Sequence, residues 1–230
     1  MTFKTRSYQK ELLDADNISF DAIKRNMEEL DFINTKLGGH GITINGLQAL
    51  LGNRKQIHVC EIGCGGGDNL LALLRFCRHK NISVTFTGID IKQSCIDFAG
   101  TRQALITNTI WLVSDYKKVI FQSKPDIIFS SLFCHHFTNE ELIVQLLWMK
   151  KNSHLGFFIN DLQRHWMAYY SIKILTQLFS KSYLVKNDAP LSVARGFTKE
   201  DWQQVFAAAG IKNYAIEWKW AFRYLIIFKN

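Results

Sequence analysis

The sequence contains few of the features that divide, anchor or export a chain. Only 2 of the 230 residues are proline, and no proline-rich, serine-rich or other low-complexity stretch interrupts the chain. No apolar run reaches the roughly 20 residues of a membrane-spanning helix. The first residues lead into a polar segment instead of the apolar core of a signal peptide. We therefore expect a cytoplasmic protein that has no membrane partner.

Cysteine is also sparse and irregularly placed. The 5 cysteines are odd in number and stand mostly inside apolar runs, which fits a reducing compartment. Cys60 and Cys64 are near neighbours, but no second pair of cysteine or histidine residues stands at zinc-site spacing. We interpret the cysteines as packing residues and predict no metal site.

Positive charge is concentrated late in the chain. The formal net charge is +8, and residues 150–230 contain 12 lysine or arginine residues against 5 aspartate or glutamate residues. These charges are spaced singly, without a basic run or an arginine-rich arm. The pattern favours a solvated basic face and no nucleic-acid partner, although it leaves an RNA footprint as an alternative.

A glycine-rich turn is the strongest local signal. The sequence E-I-G-C-G-G-G over residues 61–67 follows an apolar run and precedes a segment with an apolar face at helical spacing. Glycines lack the Cβ atoms that would keep a ligand from the backbone, and the helix that follows presents free N–H groups. A tight turn without a ligand is the alternative. The spacing predicts a strand, a glycine turn and a helix.

The turn fits E-x-G-x-G-x-G, which resembles motif I of the class I S-adenosylmethionine (SAM)-dependent methyltransferases, in particular small-molecule enzymes of bacteria. A dinucleotide fingerprint would require glycine at position 68, where the chain has Asp68. The resemblance covers residues 55–230 and implies SAM as the cofactor. The cofactor-binding residues that it implies are Glu61, Gly63, Cys64, Gly65, Gly67, Asn69, Asp90, Ile91, Asp115, Tyr116 and Ser131.

Apolar runs and helical patterns alternate along the chain. Five strands are predicted at residues 57–62, 83–90, 109–116, 125–137 and 154–162, each followed by helix, with a final hairpin over residues 211–229. The predicted fold is α/β, with the Rossmann-like seven-stranded methyltransferase sheet and an antiparallel last strand. Helices are predicted at residues 6–14, 19–37, 43–52 and 91–105, and an aromatic helical insertion at residues 166–185. Residues 1–52 would form a helical lid, and residues 53–230 the methyltransferase domain.

Two acidic residues end neighbouring strands. A carboxylate at Asp90 can accept hydrogen bonds from both ribose hydroxyls, while a helix cap is the alternative. The resemblance implies that Asp115 takes the adenine amino group and that Tyr116 packs on the base. A cap for the following turn remains the alternative for Asp115.

The fourth strand runs into an apolar tripeptide followed by His135 and His136, as in small-molecule methyltransferases. The sequence there does not resemble the Asn/Asp-Pro-Pro-aromatic motif of enzymes that methylate amino groups of nucleic acids or proteins. Either histidine could accept a proton from a phenol or enol, while a packed ring is the alternative. The stretch N-D-L-Q-R-H over residues 160–165 resembles a bacterial subset. Substrate contacts are predicted for Tyr8, Arg164, His165 and Tyr169. The alternatives are helix packing for Tyr8, a salt bridge to Asp161 for Arg164, and packing of the rings of His165 and Tyr169.

These patterns predict a SAM-dependent methyltransferase that acts on oxygen or carbon of a small acceptor, of aromatic or polyketide-like character. The alternatives are an RNA methyltransferase, a non-catalytic SAM-binding protein and, less well supported, a NAD-dependent reductase. The expected partner is a small-molecule acceptor. The sequence leaves a homodimer open.

Overall fold

The computed structural model describes residues 3–15, 17–105 and 107–230, which form one seven-stranded sheet flanked by helices. The strands are β1 (Gln56–Ile62), β2 (Ser83–Asp90), β3 (Thr109–Val113), β4 (Ile127–Ser131), β5 (Gly156–Leu162), β6 (Tyr214–Lys219) and β7 (Arg223–Lys229). The helices are α1 (Phe20–Lys36), α2 (Gly39–Leu51), α3 (Asp68–His79), α4 (Gln93–Gly100), α5 (Asn139–Asn152), α6 (Trp166–Phe179), α7 (Tyr183–Arg195) and α8 (Lys199–Ala208).

The order of the strands confirms the predicted sheet. It runs β3-β2-β1-β4-β5-β7-β6, with β1 to β5 parallel and β7 antiparallel between β5 and β6. Successive strands are added on one side of β1 as far as β3 and on its other side from β4 onward, so β1 pairs with β2 on one side and with β4 on the other. Ligands of open α/β sheets bind in the crevice outside the carboxyl ends of the strands at such a point.

Helices bury both faces of the sheet, which explains why the central strands are almost continuously apolar. Leu47 of α2 and Leu70 of α3 are fully buried on one face. Leu146 of α5 and Trp202 of α8 are fully buried on the other. None of the helices in the described part of the chain is long and apolar enough to cross a membrane.

The start of the chain departs from the predicted helix over residues 6–14. Only Leu12–Asp14 forms a 3-10 turn, because the preceding backbone is held extended against α7, where the N–H of Ser7 donates to the carbonyl of Ala194. Helix α2 begins four residues earlier than predicted, at Gly39. The boundary at residue 52 between a helical lid and a methyltransferase domain stays a prediction. Residues 1, 2 and 16 of the predicted lid lie outside the described residues.

The insertion after β5 is larger than predicted. It consists of two helices, α6 and α7, with a break at Ser180–Ser182. The side chain of Ser182 accepts a hydrogen bond from the N–H of Val185 and so caps α7. Two other predicted segments are shorter than expected. Helix α4 ends at Gly100, before a separate 3-10 turn at Gln103–Leu105, and β4 ends at Ser131.

Candidate active site

The glycine turn connects β1 to α3 at the carboxyl edge of the sheet. Gly63, Gly65 and Gly67 have φ angles of 67°, 49° and 71°, which L side chains rarely adopt. A Cβ at Gly63 would overlap the ring of Phe133. The turn is tied to β2 by the N–H of Cys64, which donates to the carbonyl of Ile89 at 3.0 Å. The sequence therefore needs glycine here for backbone conformation as well as for space.

A cavity of about 690 Å³ opens over this turn. Its walls come from the glycine turn, the ends of β2, β3 and β4, helix α1, the segment before α1, and helices α6 and α7. Most of the predicted cofactor and catalytic residues line it, namely Glu61, Gly63, Cys64, Gly65, Asn69, Asp90, Ile91, Asp115, Tyr116, Ser131, His135 and His136. Gly67 does not line it; its Cα faces the indole of Trp111.

Glu61 lies under the turn and is almost completely buried. Its Oε1 accepts a hydrogen bond from Nδ2 of Asn69 at 3.1 Å, whereas Oε2 has no partner among the described residues. Burial raises the pKa of Glu61 well above its usual value, and Asp68 and Asp90 raise it further. A cationic ligand in the cavity would satisfy both the free oxygen and the charge.

Asp90 ends β2 and connects the turn to the neighbouring strand. Its Oδ2 accepts from the N–H of Gly65 and its Oδ1 from the N–H of Lys92, both at 2.9 Å. Burial raises the pKa of Asp90, while these hydrogen bonds oppose the rise. Each carboxylate oxygen keeps the capacity to accept a second hydrogen bond. Asp90 can therefore accept from a ligand without releasing the turn.

The next strand end supplies a polar and an aromatic group. Asp115 accepts a hydrogen bond from the N–H of Lys117 at 3.0 Å, so the capping alternative for Asp115 is present in the structure. Tyr116 is buried and makes edge contacts with the rings of Phe133 and Trp148. This aromatic cluster closes the floor of the cavity beside the glycine turn.

The two histidines follow β4 on a 3-10 turn, Cys134–His136. Asp161, at the end of β5, is fully buried and accepts from the N–H of Cys134 at 2.7 Å and from Nδ1 of His135 at 2.8 Å. Burial disfavours charge on both side chains, but their attraction keeps the pKa of Asp161 lowered. The pKa of His135 is raised to about 9 despite its burial. Asp161 thus fixes the ring of His135 through Nδ1 and favours its protonated form.

The segment before α1 brings two further carboxylates to the histidines. Glu11 lies 3.6 Å from Nε2 of His135 and 3.8 Å from Nε2 of His136, and Asp14 lies 3.4 Å from Nδ1 of His136. Arg195 holds the histidine turn by donating to the carbonyls of His135 and His136. Sequence reasoning missed Glu11 and Asp14, because no local pattern marks either residue as a partner of a turn more than a hundred residues away.

The four residues predicted to contact substrate do not line the cavity, and their role stays a prediction. Arg164 is buried against the backbone of the first residues and pairs with Asp201 at 2.7 Å, not with Asp161. His165 caps α6, and Tyr169 packs edge-on against Phe3. Tyr8 is largely exposed, with its ring beside the guanidinium of Arg6.

Residues 59–148, which run from β1 to α5, match the family model described as a methyltransferase domain. No curated protein matches the sequence at a significant level.

Several solved structures share the fold at low identity. The plantazolicin methyltransferase BpumL in complex with SAH has a TM-score of 0.63 and 19% identity, over 89% of this chain and 74% of that chain. The magnesium protoporphyrin IX methyltransferase from Synechocystis PCC 6803 with SAH has a TM-score of 0.58 and 14% identity, over 86% and 87%. Human N-acetylserotonin methyltransferase in complex with SAM has a TM-score of 0.64 and 13% identity, over 92% and 56%. Residues 59–148 thus match a methyltransferase domain, and the chain shares the fold of these methyltransferase structures.

Proposed function

We propose that this protein transfers a methyl group from SAM to an oxygen or carbon atom of a small molecule held in the cavity. The observation that carries the proposal is the buried carboxylate of Glu61, whose free oxygen lies beside the glycine turn. The SAM and SAH complexes of proteins that share the fold support it.

The charges around the turn fit SAM better than a dinucleotide. SAM carries an ammonium and a sulfonium, whereas a dinucleotide carries a diphosphate. Glu61, Asp90 and Asp115 place three carboxylates around the cofactor end of the cavity, and these would repel phosphate and attract cations. Glu61 would hold the ammonium, Asp90 the ribose hydroxyls, and Asp115 with Tyr116 the adenine ring.

When bound, SAM supplies a methyl group that its positive sulfur has already activated. The protein then contributes mainly orientation and exclusion of water. Phe133 and Phe137 from the histidine side, and Ile172 and Leu175 from α6, give the cavity an apolar wall. This wall favours an acceptor with an apolar body, and the open cavity argues against a non-catalytic SAM-binding protein.

His135 and His136 lie at the same end of the cavity as this wall. We propose that they hold the hydroxyl or enol oxygen of the acceptor together with its proton. The size of the cavity favours a small-molecule acceptor over a nucleic acid, and the five free, buried cysteines favour the cytoplasm.

Calorimetric titration with SAM, SAH and NADH tests the cofactor assignment. We expect micromolar binding of SAM and SAH and none of NADH. No binding of either sulfur compound, or a preference for NADH, would contradict the proposal. A screen of phenolic and enolic acceptors, with product mass as the readout, then tests the reaction.

Asp90→Ala should weaken SAH binding roughly a hundredfold, because it removes the charge-assisted hydrogen bonds to ribose, each worth about 1.5–3 kcal/mol. Asp97→Ala is the matched control, since Asp97 is an exposed residue of α4 whose side chain accepts a hydrogen bond from Gln93. Calorimetry of both variants measures the effect. Equal SAH affinity of the two variants would show that Asp90 does not bind the ribose.

Glu61→Gln should stabilise the free protein by about 1 kcal/mol at neutral pH and weaken SAH binding at least about tenfold. The folded-state pKa of Glu61 is raised, so its ionised form opposes folding above its usual value of 4.5. The gain should therefore shrink as the pH falls through 4.5, where the unfolded chain also binds the proton. Urea unfolding at pH 7 and at pH 4 measures it; equal gains at both values would exclude this cause.

A further inference from the structure

We propose that Glu11, His135 and His136 bind a divalent transition-metal ion, with Zn²⁺ preferred, at the acceptor end of the cavity. The three residues offer one ligand atom each, and these atoms lie within 4.8 Å of one another. The site deepens the proposed function, because it would face the acceptor.

The distances within the cluster fit a tetrahedral ion. Nε2 of His135 is 3.6 Å from one oxygen of Glu11, and Nε2 of His136 is 3.8 Å from the other. Both are too long for a hydrogen bond. Ligands around tetrahedral Zn²⁺ stand about 3.4 Å apart, given metal–ligand bonds of about 2.1 Å. Two imidazole nitrogens and one carboxylate are also a donor set typical of Zn²⁺, whereas Mg²⁺ is held by oxygen ligands.

Both imidazoles are oriented as metal-binding histidines are. Nδ1 of His135 is bonded to Asp161 at 2.8 Å, and Nδ1 of His136 lies 3.4 Å from Asp14. An outer carboxylate on one ring nitrogen fixes the ring and makes the other nitrogen a better ligand. Each Nε2 is thereby directed at Glu11, whose Oε1 also accepts from the hydroxyl of Ser192 at 2.7 Å.

The surrounding charge permits a cation. Glu11, Asp14 and Asp161 place three carboxylates beside the two histidines. Arg6 and Arg195 lie next to them but donate mostly to backbone carbonyls, such as those of residues 135–137, and Arg223 also interacts with Asp161. A divalent ion would take the place of the proton on Nε2 of His135 and would be attracted by the carboxylate of Glu11.

A second group, of two carboxylates and one histidine, shows the contrast. In the cluster of Asp31, His40 and Asp68, Nε2 of His40 is already hydrogen-bonded to Asp68 at 2.9 Å. Asp31 is paired with Arg102 at 2.9 Å. Because these groups satisfy one another directly, we expect no metal there.

The proposed ion has three protein ligands and would keep one position open toward the cavity, as catalytic zinc sites do. The pKa of an acceptor hydroxyl bound at that position would be lowered, so that it could release its proton to solvent water before the oxygen takes the methyl group. The acceptor class would then be a phenol or enol whose oxygen can ligate the metal. His136 would serve as a ligand and not as the base.

Zn²⁺ titration of chelator-treated protein, followed by calorimetry, tests the site, and Co²⁺ supplies a visible spectrum that reports tetrahedral geometry. We expect one equivalent of Zn²⁺ to bind with micromolar or tighter affinity. Glu11→Gln and His136→Gln, which preserve side-chain size, should each weaken binding roughly a hundredfold or more. His40→Gln is the matched control and should bind Zn²⁺ like the wild type.

Absence of saturable Zn²⁺ binding by the wild type would overturn the site, and so would unchanged binding by both ligand variants. Circular dichroism of each variant establishes that it is folded. SAH titration in the presence of chelator separates the two proposals, since a failure of SAH binding would refute the proposed function and leave the metal result standing.

Discussion

We expect Asp161→Asn to unfold roughly 10 °C below the wild type. Asp161 is fully buried and accepts four hydrogen bonds, from the backbone N–H groups of Phe133, Cys134 and Leu162 and from Nδ1 of His135. An amide would turn an NH₂ group toward two of these donors and leave His135 without its counter-charge. Breaking a buried pair of this kind costs about 3–5 kcal/mol, and 1 kcal/mol corresponds to about 2–4 °C in a chain of this size.

Asp126→Asn is the matched control for this measurement. Asp126 directly precedes β4, at the end of that strand away from the histidine turn. It accepts a hydrogen bond from the N–H of His58 at 2.8 Å. An amide oxygen can replace that acceptor, so we expect a loss below about 1 kcal/mol. Thermal unfolding followed by circular dichroism compares the two variants. If they unfold together, Asp161 does not anchor the histidine turn.

Gly63→Ala should abolish measurable SAH binding and lower the free energy of unfolding by about 2–5 kcal/mol. A left-handed backbone costs an alanine about 1–2 kcal/mol, and overpacking adds about 1–3 kcal/mol. The added Cβ would overlap the ring of Phe133, which can yield only by moving into the cavity. Either the ring then occupies space that the ligands need, or the glycine turn shifts away from Asp90.

Gly41→Ala is the control glycine substitution. Gly41 lies in α2, where an added Cβ would meet no atom of the described residues within 4 Å. Alanine should stabilise this helix by about 0.5–1 kcal/mol and leave SAH binding unchanged. Calorimetry and urea unfolding on both variants provide the comparison. SAH binding by Gly63→Ala at wild-type strength would show that the turn does not approach the cofactor.

The sequence was informative wherever a few adjacent residues carried the signal. Apolar runs of strand length, alternating with helical patterns, predicted the α/β fold, and the glycine spacing predicted the turn after β1. The acid at position 90 was found because it follows an apolar strand directly. Such features depend on backbone conformation and on the side chains within about ten residues, which is why they can be read without a structure.

Segment ends were less predictable. The predicted helix over residues 6–14 is mostly extended, because its backbone pairs with α7, a helix that the sequence did not separate from α6. The local spacing of apolar residues is compatible with a helix. A hydrogen bond between Ser7 and Ala194, nearly the whole chain apart, holds this segment in another conformation. Long-range contacts also fix the position of the Arg164 side chain. Its guanidinium is buried against the first residues and Asp201 and does not line the cavity.

By itself, the sequence determined the order of the strands along the chain, the glycine turn and the acid that ends β2. Only the tertiary structure decided which side chains meet at the acceptor end of the cavity. Glu11, Asp161 and His135 come from three distant segments, and their meeting depends on the strand order and on the path of the first residues over α7. Charge and hydrogen bonding between distant side chains leave no pattern in local sequence, because their energy depends on distance in space.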